Sequence, residues 1–392
     1  MRIAISGASG YIGQHLSSFL EGKGYDVIPL GRDLFKEDCF DELCRCVESC
    51  EVVINLAGAS INKRWTEAYK QELYDSRICV TRQLVHAINT RSVKLELFIS
   101  ASAVGYYPAF GEYDEYHDCR GMDFLARLCG AWEEEASACS SDVRLVITRF
   151  GVVLSEDGGA LKEMLRLQRL SRVSVVIGNG QQRFPWISLF DLCRSFGYII
   201  RNRQMRGVVN LVSPDLITQK QLAHTLARAD KIRRIIPLPK FFFRLKFGEG
   251  ASFVTKGQTV HPSKLQESGF TYIYPTIEKL MNITDHHTVP ELDVKRYMGR
   301  WYEIARYENH FERGMTDVTA TYTLLPDGKI RVENEGYKGG VHKKATGRAK
   351  QPDPKNNPGK LKVAFFLWFY ADYYILELDA DYQYAVIGSS TD

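Results

Sequence analysis

Three glycines, Gly7, Gly10 and Gly13, two serines, Ser100 and Ser102, and two tyrosines, Tyr106 and Tyr107, stand out in this chain as types and spacings that suit chemistry. The glycines follow a short β-branched run, Arg2–Ser6. They lead into a helical pattern in which Leu16, Phe19 and Leu20 share one face. In that setting the spacing Gly-x-x-Gly-x-x-Gly suits a bound nucleotide. Gly7 permits a tight turn, Gly10 admits a pyrophosphate against the backbone, and Gly13 lets helix pack close to strand. Ser9, Tyr11 and Ile12 lie between them at the helix start, where backbone amides and the positive end of the dipole face phosphates.

Three further segments complete the expected cofactor site. A second strand, Asp26–Leu30, ends in Gly31-Arg32-Asp33. An NAD-preferring site places a carboxylate there for the ribose hydroxyls, whereas Arg32 suits a 2′-phosphate, so NADP is the expected cofactor. A third strand ends in Leu56-Ala57-Gly58, small enough to pass beside a ribose or phosphate, and a fourth carries Ser100. Strand–helix alternation over the first 150 residues predicts a doubly wound, Rossmann-type parallel sheet of the α/β class.

The rest of the composition bounds the alternatives. With 392 residues, 45% of them hydrophobic and 25% charged, the chain is too apolar to be disordered and long enough for two or three domains. A net charge of +4 implies no nucleic-acid partner, and no run is long and apolar enough for an integral membrane segment. The opening residues lack a signal peptide's apolar stretch. The nine cysteines, all between Cys39 and Cys193, show neither a disulfide framework nor a metal spacing. These features predict a cytoplasmic protein without a metal site. The polar stretch from Asn282 to Pro290, with His286 and His287, suits a linker. The expected division is 1–282, a linker at 283–290, and a second domain at 291–392.

The glycine motif, Asn55-Leu-Ala-Gly58, Asp75-Ser-Arg77, Ser100-Ala-Ser-Ala-Val-Gly-Tyr-Tyr107, Arg149-Phe-Gly-Val-Val-Leu154 and Trp186-Ile-x-x-x-Asp191 together resemble the extended short-chain dehydrogenases/reductases. More closely they resemble the atypical, sugar nucleotide epimerase-like branch. The resemblance covers about residues 1–282 and implies a small C-terminal substrate subdomain. It also implies oxidoreduction or epimerisation of a small substrate, with Ser102 in the place of the serine that polarises a carbonyl. The family's Tyr-x-x-x-Lys pair, aligned through Glu133, falls on Leu125 and Cys129, neither of which exchanges a proton with substrate. Tyr106 or Tyr107 then supplies a replacement phenol, or each is a packed aromatic. Cys129 as a nucleophile lacks a visible activating neighbour. Substrate-side residues are expected around Pro185-Trp186 and Phe241–Gly250, with Lys63, Arg64 and Trp65 facing the same cleft. A noncatalytic NADP(H)-binding or redox-sensing protein is the alternative.

From Asp293 onward short strands alternate with turns such as Pro326-Asp-Gly328, which predicts an all-β meander or barrel. Gly299-Arg-Trp301-Tyr-Glu, Tyr307, His310-Phe-Glu-Arg-Gly314 and Ala320-Thr-Tyr322 resemble the lipocalins, closest to bacterial ones. That resemblance implies a fatty acid or lysophospholipid as apolar ligand, with Trp301 plugging the barrel base. Seven strands are expected where the family closes with eight, so the barrel reads as truncated or completed from elsewhere. A carrier that hands an apolar substrate to a reductase is a third reading.

Overall fold

Alternation of apolar side chains builds the first sheet. The computed structural model describes residues 1–93, 95–281, 288–306, 314–354, 357–366 and 369–389. Six parallel strands run β1 (Arg2–Ser6), β2 (Asp26–Leu30), β3 (Val52–Asn55), β4 (Leu97–Ala103), β5 (Arg144–Phe150) and β6 (Gly207–Leu211), in the spatial order β6-β5-β4-β3-β1-β2. Ile3, Ile5, Val52, Ile54, Leu97 and Ile99 point to one face. There they meet Leu16 and Leu20 of α1 (Tyr11–Glu21) and a later helix through Phe196 and Ile199. Ala4, Val53 and Phe98, one residue out of phase, point to the other face. They meet Leu84, Val85 and Ile88 of α2 (Glu67–Thr90). Burial on both faces is what a parallel sheet covered by crossover helices requires.

Helix α3 (Phe124–Ser137) starts at an Asp123 cap, whose carboxylate accepts from the Ala126 amide at 3.0 Å. Beyond it the first unit adds a smaller α/β part, in which strands Val173–Ile177 and Arg234–Leu238 pair in parallel. The two compact units of the chain are Met1–Ile283 and Thr284–Asp392.

In the second unit seven antiparallel strands follow chain order: β7 (Gly299–Tyr302), β8 (Met315–Leu324), β9 (Ile330–Lys338), β10 (Val341–Lys350), β11 (Lys360–Phe366), β12 (Phe369–Leu378) and β13 (Ala385–Ser389). Among the described residues β7 and β13 do not pair with each other, and the sheet is open. Tyr297, Tyr322, Ile330, Val332, Leu361 and Ile375 form its core. The Tyr297 and Tyr322 hydroxyls both bond that of Tyr373, at 2.9 and 2.8 Å, so three buried phenols satisfy one another. The Trp301 indole donates to the Tyr297 carbonyl at 2.9 Å. His286, His287, Tyr307, His310–Arg313 and the last residues, Ser390–Asp392, lie outside the described residues.

Candidate functional site

The turn after β1 is built so that only glycine fits. Gly7 has φ +73°, and a Cβ there would lie 2.8 Å from the Leu56 carbonyl carbon. A Cβ on Gly13 would come within 2.2 Å of the Gly7 carbonyl oxygen. The first turn of α1 is therefore pressed onto the loop it follows. Gly10 precedes the helix in an extended conformation, and no side chain caps it, which leaves the first amides of α1 to face a ligand. Below this turn a polar chain runs through the sheet. Ser6 Oγ donates to Asn55 Oδ1 at 2.7 Å, Asn55 Nδ2 donates to Thr81 Oγ1 at 2.8 Å, and the Trp132 indole donates to the same oxygen at 2.9 Å. Asn55 thus ties the ends of β1 and β3 to α2, which sets the position of Leu56, Ala57 and Gly58.

The residues present fit a dinucleotide. Ser100 Oγ and the Tyr11 hydroxyl are buried with no hydrogen-bond partner, an arrangement that water-excluded polar atoms rarely keep without a ligand. Arg32 is exposed at the end of β2 and has no carboxylate partner among the described residues. Asp33, the competing acid, is bonded to Lys36 at 2.5 Å, and that ammonium lowers its pKa. Gly58 lies against the half-buried Arg77, whose guanidinium donates to the Ala59 carbonyl at 3.0 Å. Ser9 is exposed and Ile12 half-buried on the same turn.

Deeper in, Ser102 is not free. Its Oγ donates to Glu133 Oε1 at 2.6 Å, and Arg149 grips the same carboxylate through Nε at 2.8 Å and Nη2 at 2.7 Å. All three residues are buried. Leu125, Cys129 and Glu133 occur at four-residue intervals and so form one stripe of α3. Leu125 faces Gly105, where an added Cβ would meet it at 3.4 Å. Cys129 is buried beside Ser102, and burial pushes its thiol up to about 12. A thiol so protonated at neutral pH is a packing group, not a nucleophile. Arg149 also stacks on Tyr106, 3.5 Å from its ring centroid, and faces Tyr107 at 4.7 Å. Tyr107 is buried, with its hydroxyl within reach of the Asp114 carbonyl at 2.8 Å and Asn210 Oδ1 at 3.1 Å. The half-buried Tyr106 hydroxyl reaches Asp118 at 3.4 Å, and burial raises the pKa of both phenols.

The expected substrate-side residues divide. Trp186 is fully buried in a core with Leu154 and Leu222, because its strand Trp186–Ser188 pairs inside the fold, so it does not line a cleft. Trp65 does line one, of about 490 Å³, together with Phe124, Arg244 and Lys256. It is fixed there by its amide, which donates to the Phe247 carbonyl at 3.2 Å. Arg64 holds the adjoining helix by donating to the Leu245 carbonyl at 2.7 Å, and Lys63 lies over the Tyr69 ring.

Comparison with known proteins places this geometry. The NAD dependent epimerase/dehydratase family matches residues 3–211, more than half of the chain. The chain belongs to that family. Within it, similarity is to the epimerase family proteins of SDR39U1 type. An Arabidopsis thaliana chloroplastic homologue is 33% identical over 71% of this chain and 85% of its own length. YfhF of Bacillus subtilis is 33% identical over 74% of this chain and the whole of its own. The crystal structure of human SDR39U1 (isoform 2), described with NADPH, is 32% identical, with a TM-score of 0.66, over 73% of this chain and all of that one. A domain of unknown function matches residues 238–282, and a lipocalin-like domain matches 292–392.

In this epimerase-family chain the Glu133–Arg149 pair is the part of the site that motif reading passed over. Both residues were visible, Glu133 as the only acid of the first ten residues of α3 and Arg149 as a charge in an apolar strand. A charge inside an otherwise apolar strand was the available signal, since such charges are kept only when paired.

Proposed function

We propose that the amino-terminal unit binds NADP(H) in the Gly7–Gly13 turn, with Ser9, Gly10, Tyr11 and Ile12 toward the pyrophosphate and Arg32 toward the adenosine 2′-phosphate. Leu56, Ala57, Gly58 and Ser100 line the same groove. The NADPH of the human relative supports the cofactor. NADPH supplies a hydride when bound. The chain's own residues do not complete a proton relay beside it, and the nucleotide acts as a retained or sensed ligand. One observation carries this reading: the single proton of Ser102 is donated to Glu133. A serine hydroxyl has one proton, so in this geometry it offers only lone pairs to a substrate carbonyl. Leu125 has no titratable group, and the buried Cys129 thiol keeps its proton at neutral pH. Calorimetric titration of the full chain with NADPH and NADH tests the cofactor, and tighter NADH binding overturns it. A substrate screen following NADPH absorbance tests the relay, and turnover that vanishes in Ser102→Ala overturns it.

The cleft at Trp65 and Phe124 favours a second reading, an NADP-dependent oxidoreductase or epimerase acting on a small molecule held there, with Tyr106 as the proton donor. Its volume lies in the range of small-molecule sites. Turnover lost in Tyr106→Phe but kept in Ser102→Ala would select it.

For the carboxy-terminal unit we propose a small apolar ligand, a fatty acid or lysophospholipid, on the strength of the lipocalin-like match. A fluorescent fatty-acid probe added to the full chain tests this, with no saturable signal overturning it. The nine free cysteines support a reducing, cytoplasm-like compartment. No helix among the described residues is long and apolar enough to cross a membrane.

A further inference from the structure

The cleft beside α3 has an aromatic floor and, among the described residues, two cations without an ion-pair partner. Trp65, 6% exposed, meets Phe124 edge-on, with ring centroids 5.4 Å apart. The short helical turn Glu249–Ala251 lies close on the indole, because a Cβ on Gly250 would fall 3.0 Å from it. Each acid of the lining is already engaged. Asp123 caps α3 through the Ala126 amide, and Glu249 is bonded to Lys70 at 2.5 Å. The two cations of the lining, Arg244 and Lys256, have no carboxylate partner among the described residues. Nor does the neighbouring sequence correct the balance. Between residues 231 and 256 seven Lys and Arg stand against the single Glu249, in a chain whose net charge is only +4. Cations without an ion-pair partner beside an apolar wall attract ligands of the opposite sign.

We propose that this cleft takes an anionic amphiphile, a small molecule with an aromatic or other apolar body and one carboxylate or phosphate. The body lies against Trp65 and Phe124, and the anion is held by Arg244 and Lys256. Guanidinium and ammonium serve unequal parts, since Arg244 can meet a carboxylate with two parallel bonds and Lys256 acts as a point charge. An uncharged analogue leaves both cations without a partner and binds more weakly. Phe124 precedes Leu125, so the bound molecule sits at the helix end whose next residue occupies the family's proton-donor position. The inference rests on the oxidoreductase reading only in calling the ligand a substrate; the binding itself stands apart from turnover.

The test titrates the full chain with 2-naphthoate, 2-naphthyl phosphate and 2-naphthamide by calorimetry, with and without NADPH. At least tenfold tighter binding of one anion over the amide is expected. That preference should be lost in Arg244→Gln/Lys256→Gln, and affinity for both anion and amide should fall in Trp65→Leu. Equal binding of amide and anions, or a preference that survives the double variant, overturns the proposal. Sedimentation with phosphatidylcholine vesicles containing phosphatidylglycerol separates a free ligand from a lipid headgroup. Vesicle binding without naphthoate binding overturns it. NADPH titration of the same double variant keeps the two ideas apart. A variant that binds NADPH normally but has lost naphthoate isolates the cleft, whereas naphthoate binding without NADPH binding sinks only the cofactor assignment.

Discussion

Ser102 Oγ lies 2.6 Å from Glu133 Oε1, and that carboxylate is held from its other side by Arg149. The contact joins the end of β4 to α3 inside the sheet's cover. It turns the serine of the family motif into part of a buried ion-pair network. Removing the carboxylate strands a buried guanidinium, so Glu133→Gln is expected to cost about 3–5 kcal/mol of unfolding free energy. Ser102→Ala removes one charge-assisted bond and should cost about 1–3 kcal/mol. Urea denaturation of both variants checks the order, and equal costs would mean that the serine, not the pair, carries the stability.

The contact of Gly13 with the Gly7 carbonyl predicts a backbone effect that no side-chain loss can mimic. Gly13→Ala places its methyl 2.2 Å from that oxygen and should abolish measurable NADPH binding. Gly31→Ala, where a Cβ meets nothing within 4 Å and φ is −68°, should leave the fold's melting temperature unchanged. Circular dichroism melts with parallel NADPH titrations distinguish a lost site from a lost fold.

Arg32 should act on one cofactor only. Arg32→Ala is expected to weaken NADPH by tenfold or more, about 1.4 kcal/mol, while NADH changes little. Equal loss for both nucleotides would place Arg32 away from the 2′-phosphate.

Two buried thiols tie stability to alkaline pH. Burial pushes Cys129 and Cys193 up to about 12, whereas an unfolded thiol ionises near pH 8.5. Below the unfolded value both states are protonated, and this contribution is fully present. As pH rises from about 8.5 toward 12 the unfolded chain alone releases protons, so stability falls. Calorimetric melts at pH 7 and pH 10 should show a smaller drop in Cys193→Ala than in the parent chain. Rapid alkylation of Cys129 in the native protein at pH 7, at the rate of the exposed Cys79 and Cys119, would contradict its burial.

Much of this was legible in the residues, for a physical reason. Ile3/Ala4/Ile5 and Leu97/Phe98/Ile99 carry two interleaved apolar sets, as strands covered on both faces must, and Gly7 and Gly13 mark contacts that permit no side chain. That Arg32 stands at the end of its strand was legible because it follows that strand within two residues. Glu133 and Arg149 could not be paired beforehand, since the contact depends on how α3 settles against the sheet. The expectation of Trp186 on the substrate side rests on its place in the C-terminal part of the first unit. Its burial is decided by strand pairing of Trp186–Ser188 with Val152–Ser155, a tertiary event. The character of the Trp65 cleft was hidden for the same reason, because only the fold pairs Glu249 with Lys70 and turns Asp123 to the α3 cap.

The stripe Leu125, Cys129, Glu133 also limits how a Tyr/Lys dyad could be introduced on α3. Cys129→Lys would bring an ammonium into a pocket that already holds Arg149 and the half-buried Arg77 against one carboxylate. Three positive charges would then share the one carboxylate of Glu133 without water to screen them. Leu125→Tyr/Cys129→Lys is thus expected to fold less stably than the same double change made together with Arg149→Met. Introducing the dyad is an exchange of one cation for another, and a path of single substitutions must pass through a destabilised intermediate.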